Sequence, residues 1–216
     1  MNIHIIGGGN LGVAIALGLA RYSKGNNITV TRRKTESILY LEPRAPEFLT
    51  SYQHEIQSAD IIILTIKPYQ VDLVLEEILP EIKNKIIASA VSGLSIETIQ
   101  SKTDGSHSII HIMPNIAALF GESATCISHE EKDKEAAAKV ISLFNTIGTV
   151  SVINENLMDA ATVLGACGTA YALRYIRASM QAGIEIGFDA ATALSIASQT
   201  AKGAATMALE EQVHPE

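Results

Sequence analysis

The first twelve residues constrain the chain most. The apolar run at 3–6 passes directly into Gly7-Gly8-Gly9-Asn10-Leu11-Gly12, which opens a helical pattern over 11–21. This is G-x-G-x-x-G in strand–turn–helix context. The first glycine permits the tight turn, the second lets the backbone approach a pyrophosphate, and the third lets helix and strand pack closely. The helix then offers its unpaired first N–H groups and the positive end of its dipole to the phosphates. Gly7, Gly9, Asn10, Leu11 and Gly12 are therefore candidate cofactor contacts. A glycine-rich turn without a ligand is the competing reading.

The pattern that follows agrees with this start. Short β-branched runs at 28–31, 61–66, 86–89, 108–113 and 150–153 alternate with helical patterns at 71–82 and 132–145. Near-continuous apolar strands separated by helices imply βαβ units and a sheet covered on both faces. The expected fold is α/β, a Rossmann-type doubly wound, mostly parallel sheet. Near residue 154 the composition changes. Residues 155–216 hold 15 alanines against 13 in residues 1–154, and no proline occurs from 155 to 214. Apolar positions recur at helical spacing over 157–182 and 190–209, with a break at Gly187-Phe188-Asp189. The expected division is 1–154 for the nucleotide-binding domain and 155–216 for an all-helical domain. Its Ala- and Gly-rich faces cannot hide their apolar surface alone, which predicts a homo-oligomer.

Composition removes several classes. The net charge is −7, which disfavours nucleic acid and anionic membranes as partners. There is no Trp and aromatics are 5%, so stacking platforms for single strands are not expected. No apolar run approaches the length of a spanning helix, and no basic segment precedes an apolar one at the N-terminus. Cys126 and Cys167 form no C-x-x-C, so a disulfide framework or zinc site is not expected and the cytoplasm is the default compartment. His107 and His111 are four apart, but on a strand that spacing exceeds about 13 Å and does not make a metal site.

Other candidates sit where loops would leave the carboxyl ends of strands, the place of the ligand crevice in such sheets. NAD sites carry an acid about 20 residues beyond the glycines. Here that place holds Thr31-Arg32-Arg33-Lys34, with no acid before Glu36. Arginine can grip a 2′-phosphate that an acid would repel, which favours NADP(H) over NAD(H). A solvated basic turn is the alternative. Lys67-Pro68 ends one strand, Ser89-Ala90-Val91-Ser92-Gly93 follows the next, and Met113-Pro114-Asn115 ends the one after. Lys67 can approach the nicotinamide half of the cofactor or an anionic substrate. The Asn115 carboxamide can both donate and accept.

These motifs, in this order, resemble the pyrroline-5-carboxylate reductase family along essentially the whole chain. The resemblance adds Gly148…Glu155…Asp159…Thr162, Gly168-x-Ala170-Tyr171, Ala182-Gly183…Gly187, Gln199-Thr200…Gly203-Ala204-Ala205 and His214-Pro215. It implies a cofactor domain followed by a helical dimerisation domain, with assembly of dimers into decamers as a further state. It implies reduction of a cyclic imine, pyrroline-5-carboxylate, to L-proline by NADP(H), with NAD(H) as the second candidate. On this reading Lys67, Asn115 and Thr169 stand nearest the chemistry. Gly7, Gly9, Asn10, Leu11, Gly12, Arg32, Arg33, Lys67, Pro68, Ser92, Gly93 and Asn115 hold the cofactor.

The sequence also departs from the family. His111 stands where an Arg is common before Met-Pro-Asn, Ile116-Ala117 replaces Thr-Pro, and Thr169 occupies the place of a Pro. In the family a Ser-Pro-Gly-Gly-Thr-Thr-like loop follows His-Pro and holds the substrate carboxylate from the partner subunit. The sequence stops at Glu216, so the helical domain is read as incomplete at its C-terminus. Two other readings stay open: a related imine or hydroxyacid reductase, and an NADP-binding protein without full catalysis. The 3-hydroxyisobutyrate type needs a lysine where this chain has Arg174, which cannot release a proton.

Overall fold

In the computed structural model, which describes residues 1–32, 48–49, 56–103 and 105–211, the β-branched runs become one sheet. Its strands are β1 (Asn2–Ile6), β2 (Asn27–Thr31), β3 (Phe48–Leu49), β4 (Ile61–Leu64), β5 (Ile86–Ser89), β6 (Ser108–Met113), β7 (Ser123–His129) and β8 (Gly148–Val152). The spatial order is β3-β2-β1-β4-β5-β6-β7-β8. The first six strands are parallel, β7 runs antiparallel to β6, and β8 is parallel to β7. The chain moves outward from β1 to β3 and returns to β4 on the other side of β1. That reversal is the topological switch point, where the ligand crevice of an open α/β sheet lies.

The helices that cover the sheet are α1 (Asn10–Tyr22), α2 (Val71–Ile78), α3 (Ile96–Gln100) and α4 (Lys134–Phe144). Alternation along the strands splits the core into two layers. Ile61 and Ile63 join Ile15, Leu19 and Phe144 on one face. Ile62 and Leu64 join Leu75 and Ile99 on the other. Both faces of the central strands are therefore dry, as their near-continuous apolar runs require.

Some boundaries differ from the sequence expectation. The third expected strand stops at Leu64 rather than Ile66, although Thr65 N–H still donates to Ile6 O at 2.9 Å. The helix expected over 71–82 ends at Ile78, and a 3-10 turn, Leu79–Glu81, follows with Pro80 inside it. β7 carries a single large aliphatic, Ile127, among small polar residues and gives little periodic signal. Its buried hydroxyls satisfy one another: Ser123 Oγ and Thr125 Oγ1 are 3.0 Å apart. α3 is five residues long, too short to show a helical period.

The continuous helical pattern expected over 157–182 is broken in the structure. A 3-10 turn (Glu155–Leu157) leads into α5 (Met158–Ala161), and a π-helical turn (Thr162–Ala166) follows. There Cys167 N–H donates to Thr162 O at 2.9 Å, a five-residue step. The compact units are Met1–Cys167 and Gly168–Glu216, so residues 155–167 pack with the sheet rather than with the helices that follow. Met158 and Ala161 are buried against Met113 at the end of β6. The second unit holds α6 (Gly168–Glu185) and α7 (Ala190–Glu210), joined at the expected break. Asp189 caps α7, accepting from Ala191 N–H and Thr192 N–H at 3.0 Å each. Among the described residues no helix is long and apolar enough to cross a membrane.

Candidate cofactor and active site

The glycine turn sits at the carboxyl end of β1, at the switch point. Gly7 N–H and Gly8 N–H both donate to Thr31 O, at 2.9 and 3.1 Å, tying the turn to the end of β2. Gly7 has φ +114°, and a Cβ there would lie 2.8 Å from Thr65 O. A Cβ on Gly12 would lie 2.1 Å from Gly7 O and 2.6 Å from Thr65 Oγ1. Neither position can carry a larger side chain without moving backbone. Gly9 is different: nothing lies within 4 Å of its Cβ position. It serves as N-cap of α1 and no side chain caps the helix there. The first-turn amides of Asn10, Leu11 and Gly12 are thus presented at an open helix N-terminus, an arrangement that suits a phosphate.

A cleft of about 330 Å³ opens beside this turn, lined in part by Gly7, Gly8, Gly9, Arg32, Thr65 and Lys67. Arg32 is exposed and its Nη1 donates to Gly8 O at 3.2 Å, which lays the guanidinium across the turn. Arg33 lies outside the described residues, as do His214 and Pro215. Lys67 is exposed at the exit from β4, where its backbone N–H donates to Gln70 Oε1 at 3.0 Å. Pro68 opens the 3-10 turn that follows. Ser92 and Gly93 are exposed beyond β5, with Gly93 in a tight turn. All these loops leave the same edge of the parallel strands.

Asn115, beyond β6, is only 6% exposed. Its Oδ1 accepts from Ala117 N–H at 3.0 Å, and its Nδ2 donates to Gly165 O at 3.2 Å in the π-helical turn. Its backbone N–H donates to Ser123 Oγ at 3.1 Å. One amide hydrogen and one lone pair remain for a ligand. The bond to Gly165 O joins the loop after β6 to the π-helical turn, a kind of helix irregularity frequent at functional sites. Thr169 lies in the first turn of α6, half-buried, in the second unit.

Two features of this region escape sequence reading. Thr65 is a lone polar residue in an apolar run, yet its Oγ1 lies 2.7 Å from Gly7 O. Glu155 and His111 are 44 residues apart in sequence, yet Glu155 Oε1 lies 2.9 Å from His111 Nδ1. The same oxygen accepts from Ile96 N–H, at the start of α3, at 3.1 Å. His107, just before β6, instead accepts from Lys85 N–H at 3.2 Å. The two histidines that share a four-residue spacing therefore serve separate partners.

Comparison with known proteins matches the two ends of the chain separately. Residues 155–216 match the family model described as pyrroline-5-carboxylate reductase dimerisation, and residues 2–93 match that of NADP oxidoreductase coenzyme F420-dependent. The chain is 40% identical to pyrroline-5-carboxylate reductase 2 of Dictyostelium discoideum, over 100% of this chain and 78% of that protein. The chain belongs to the pyrroline-5-carboxylate reductase family. It is equally 40% identical to pyrroline-5-carboxylate reductase 1 of the same organism, over 99% of this chain but 42% of that longer protein. A crystal structure of Plasmodium falciparum pyrroline carboxylate reductase with NADP bound superposes with TM-score 0.86 at 24% identity. That match covers 97% of this chain and 79% of the other. The chain is thus an oxidoreductase of this family, one whose members take NADP(H) and reduce pyrroline-5-carboxylate to proline. The glycine turn, its open amides and the basic residue beside it fit that cofactor.

Proposed function

We propose that this chain performs the family reaction with NADPH as the preferred reductant, and that its site residues divide the work as follows. The amides of Asn10, Leu11 and Gly12 hold the pyrophosphate, and the open side of Gly9 lets it come close. Arg32, with Arg33, grips the 2′-phosphate. Lys67 and Pro68, Ser92 and Gly93, and Asn115 border the nicotinamide side, and Thr169 faces the substrate. Bound NADPH supplies a hydride to the imine carbon, and the nitrogen keeps the proton of the iminium form as the ring becomes an amine. A protonated imine is already electrophilic, so positioning and electrostatics supply most of the acceleration. The chain then needs no His–Asp pair.

The observation that carries this reading is the glycine turn itself. Its geometry is closed on the sheet side by Thr65 and open on the side of the α1 amides. Oxidation of NADPH in the presence of pyrroline-5-carboxylate tests it. Turnover is expected, with NADPH favoured over NADH. Arg32→Ala is expected to erase that preference by weakening NADPH alone, because a bidentate contact to the 2′-phosphate is lost. Intact NADPH binding without any turnover would reject the reductase reading. An NADH preference unchanged in Arg32→Ala would reject the role of Arg32.

We further propose that the protein works in the cytoplasm as a homodimer joined through α6 and α7, with decamers built from dimers. The support is the apolar surface of these helices, described below, and the match of residues 155–216 to a dimerisation model. Light scattering at micromolar concentration tests the assembly, and a monomer would refute it.

A further inference from the structure

Thr65 follows β4 directly and faces the glycine turn. Its backbone N–H continues the sheet ladder, donating to Ile6 O at 2.9 Å. Its hydroxyl lies 2.7 Å from Gly7 O and 3.2 Å from Ile6 O. One hydroxyl hydrogen serves the shorter contact, so Oγ1 donates to Gly7 O. Thr65 crowds two of the motif's three glycines: its carbonyl faces Gly7, and its hydroxyl faces Gly12, where Gly7 O lies closer still.

The Gly7 carbonyl matters because of where its peptide can point. Gly7 has φ +114° and no side chain to fix its peptide, while the Gly8 N–H of that same peptide donates to Thr31 O at 3.1 Å. With the carbonyl turned back, the turn shows the anion a rim of N–H groups. With the peptide flipped, the carbonyl oxygen would face the anion and repel it. Gly7 O is held back by two donors, Gly9 N–H at 2.8 Å and the Thr65 hydroxyl. The first belongs to the turn and moves with it. The second is anchored in the sheet.

We propose that Thr65 is a positioning residue for the cofactor: its hydroxyl pins the Gly7 carbonyl to the sheet, so that the turn keeps its N–H groups toward the pyrophosphate. This rests on the dinucleotide reading of the turn and adds to it a residue that acts through the Gly7 carbonyl. It also separates two parts of the ligand. The pyrophosphate should feel the loss of the pin, whereas the 2′-phosphate end should not.

The test is binding to two probes, NADPH and adenosine 2′-monophosphate, which lacks the pyrophosphate. Thr65→Val keeps the volume and removes the donor. It is expected to raise the Kd for NADPH about three- to ten-fold, the value of one hydrogen bond. It should leave the Kd for adenosine 2′-monophosphate within about two-fold, a change smaller than one ordinary hydrogen bond. Thr65→Ser, which restores the hydroxyl, should recover most of the NADPH affinity. Equal weakening of both probes, an unchanged NADPH affinity in Thr65→Val, or a Thr65→Ser as weak as Thr65→Val would each overturn the proposal. Failure of the wild-type protein to bind NADPH would instead overturn the cofactor reading, and the inference with it.

Discussion

In Met1–Cys167 many long apolar side chains are inside, where Ile15, Leu19, Ile62, Ile63 and Phe144 have no accessible surface, although Tyr69, Phe120 and Leu164 stay exposed. In the helices that follow such side chains are outside. No residue of α6 is buried, and in α7 only Ala193 and Ala197 are. Leu173 is 61% exposed, Tyr175 59%, Ile196 48% and Leu209 78%. Each such side chain gains about 1.5–3 kcal/mol when fully buried, so a helix pair left like this carries a large unmet driving force. The first unit holds its own dry core, with sheet and covering helices fitted to one another. The second carries an apolar surface of the kind that an oligomer covers.

The largest expected effect comes from breaking the self-contained unit at its tightest point. In Gly12→Ala a methyl group must occupy space 2.1 Å from Gly7 O, and backbone has to move. NADPH binding should be lost by about 100-fold or more, since the phosphate amides shift with the turn, and overpacking should destabilise the unit by about 1–3 kcal/mol. Fluorescence titration and thermal melting measure both. A Kd within a few-fold of wild type would show that the turn is looser than its distances imply.

The converse experiment attacks the exposed helices. Leu173→Asp combined with Ile196→Asp places charges on faces proposed to be dry in the dimer. Desolvating them should weaken association by more than about 100-fold, giving monomers at micromolar concentration while NADPH binding persists. If the variant loses cofactor affinity as fully as it loses the dimer, the two regions are not independent.

The same contrast explains what could be read from the sequence. The glycine turn is a local motif whose meaning lies within six residues, so Gly7, Gly9 and Gly12 were legible, as were β1, β2, β5 and β6 from their β-branched runs. The Ala-rich periodicity gave α7 its extent, placed α6 without its start, and pointed to a partner. What stayed hidden depends on distant contact. Ser123 and Thr125 look like loop residues until they are seen to bond each other inside β7. Thr65 looks like an interruption of a strand until Gly7 is placed behind it. At the break of the helical pattern, Thr162–Ala166, Asn115 reaches the Gly165 carbonyl from 50 residues away in sequence. No period or propensity records such pairs.

Glu155 tests how firmly residues 155–167 belong to the first unit. Its carboxylate meets both Ile96 N–H and His111, and His111 is 4% exposed. In Glu155→Ala a buried imidazole nitrogen and a helix N-terminal amide lose their partner together. Destabilisation of about 1–3 kcal/mol in the melting of the first unit is expected. Glu155→Gln should cost less, because its carbonyl oxygen can still accept from both. Equal effects of the two substitutions would mean that charge, not the acceptor, is what matters there.

The smallest effect should appear in the helical unit, at the local device that starts α7. Hydrogen bonds from Thr192, with a further one from Ala191, hold the Asp189 carboxyl below the ordinary aspartate range. The sign follows from that depression. The folded state favours the ionised form, so the contribution is fully present above the unfolded value. It is lost as pH falls through the lowered folded value. Asp189→Asn keeps an acceptor for the first-turn amides but has no proton to gain. In melts followed by helicity, the wild type should lose stability on acidification below the aspartate range more steeply than Asp189→Asn, by a small margin because the group is fully exposed. Parallel acid profiles would mean that the partner-dependent surface, rather than any local cap, sets the stability of this unit across the whole acid range.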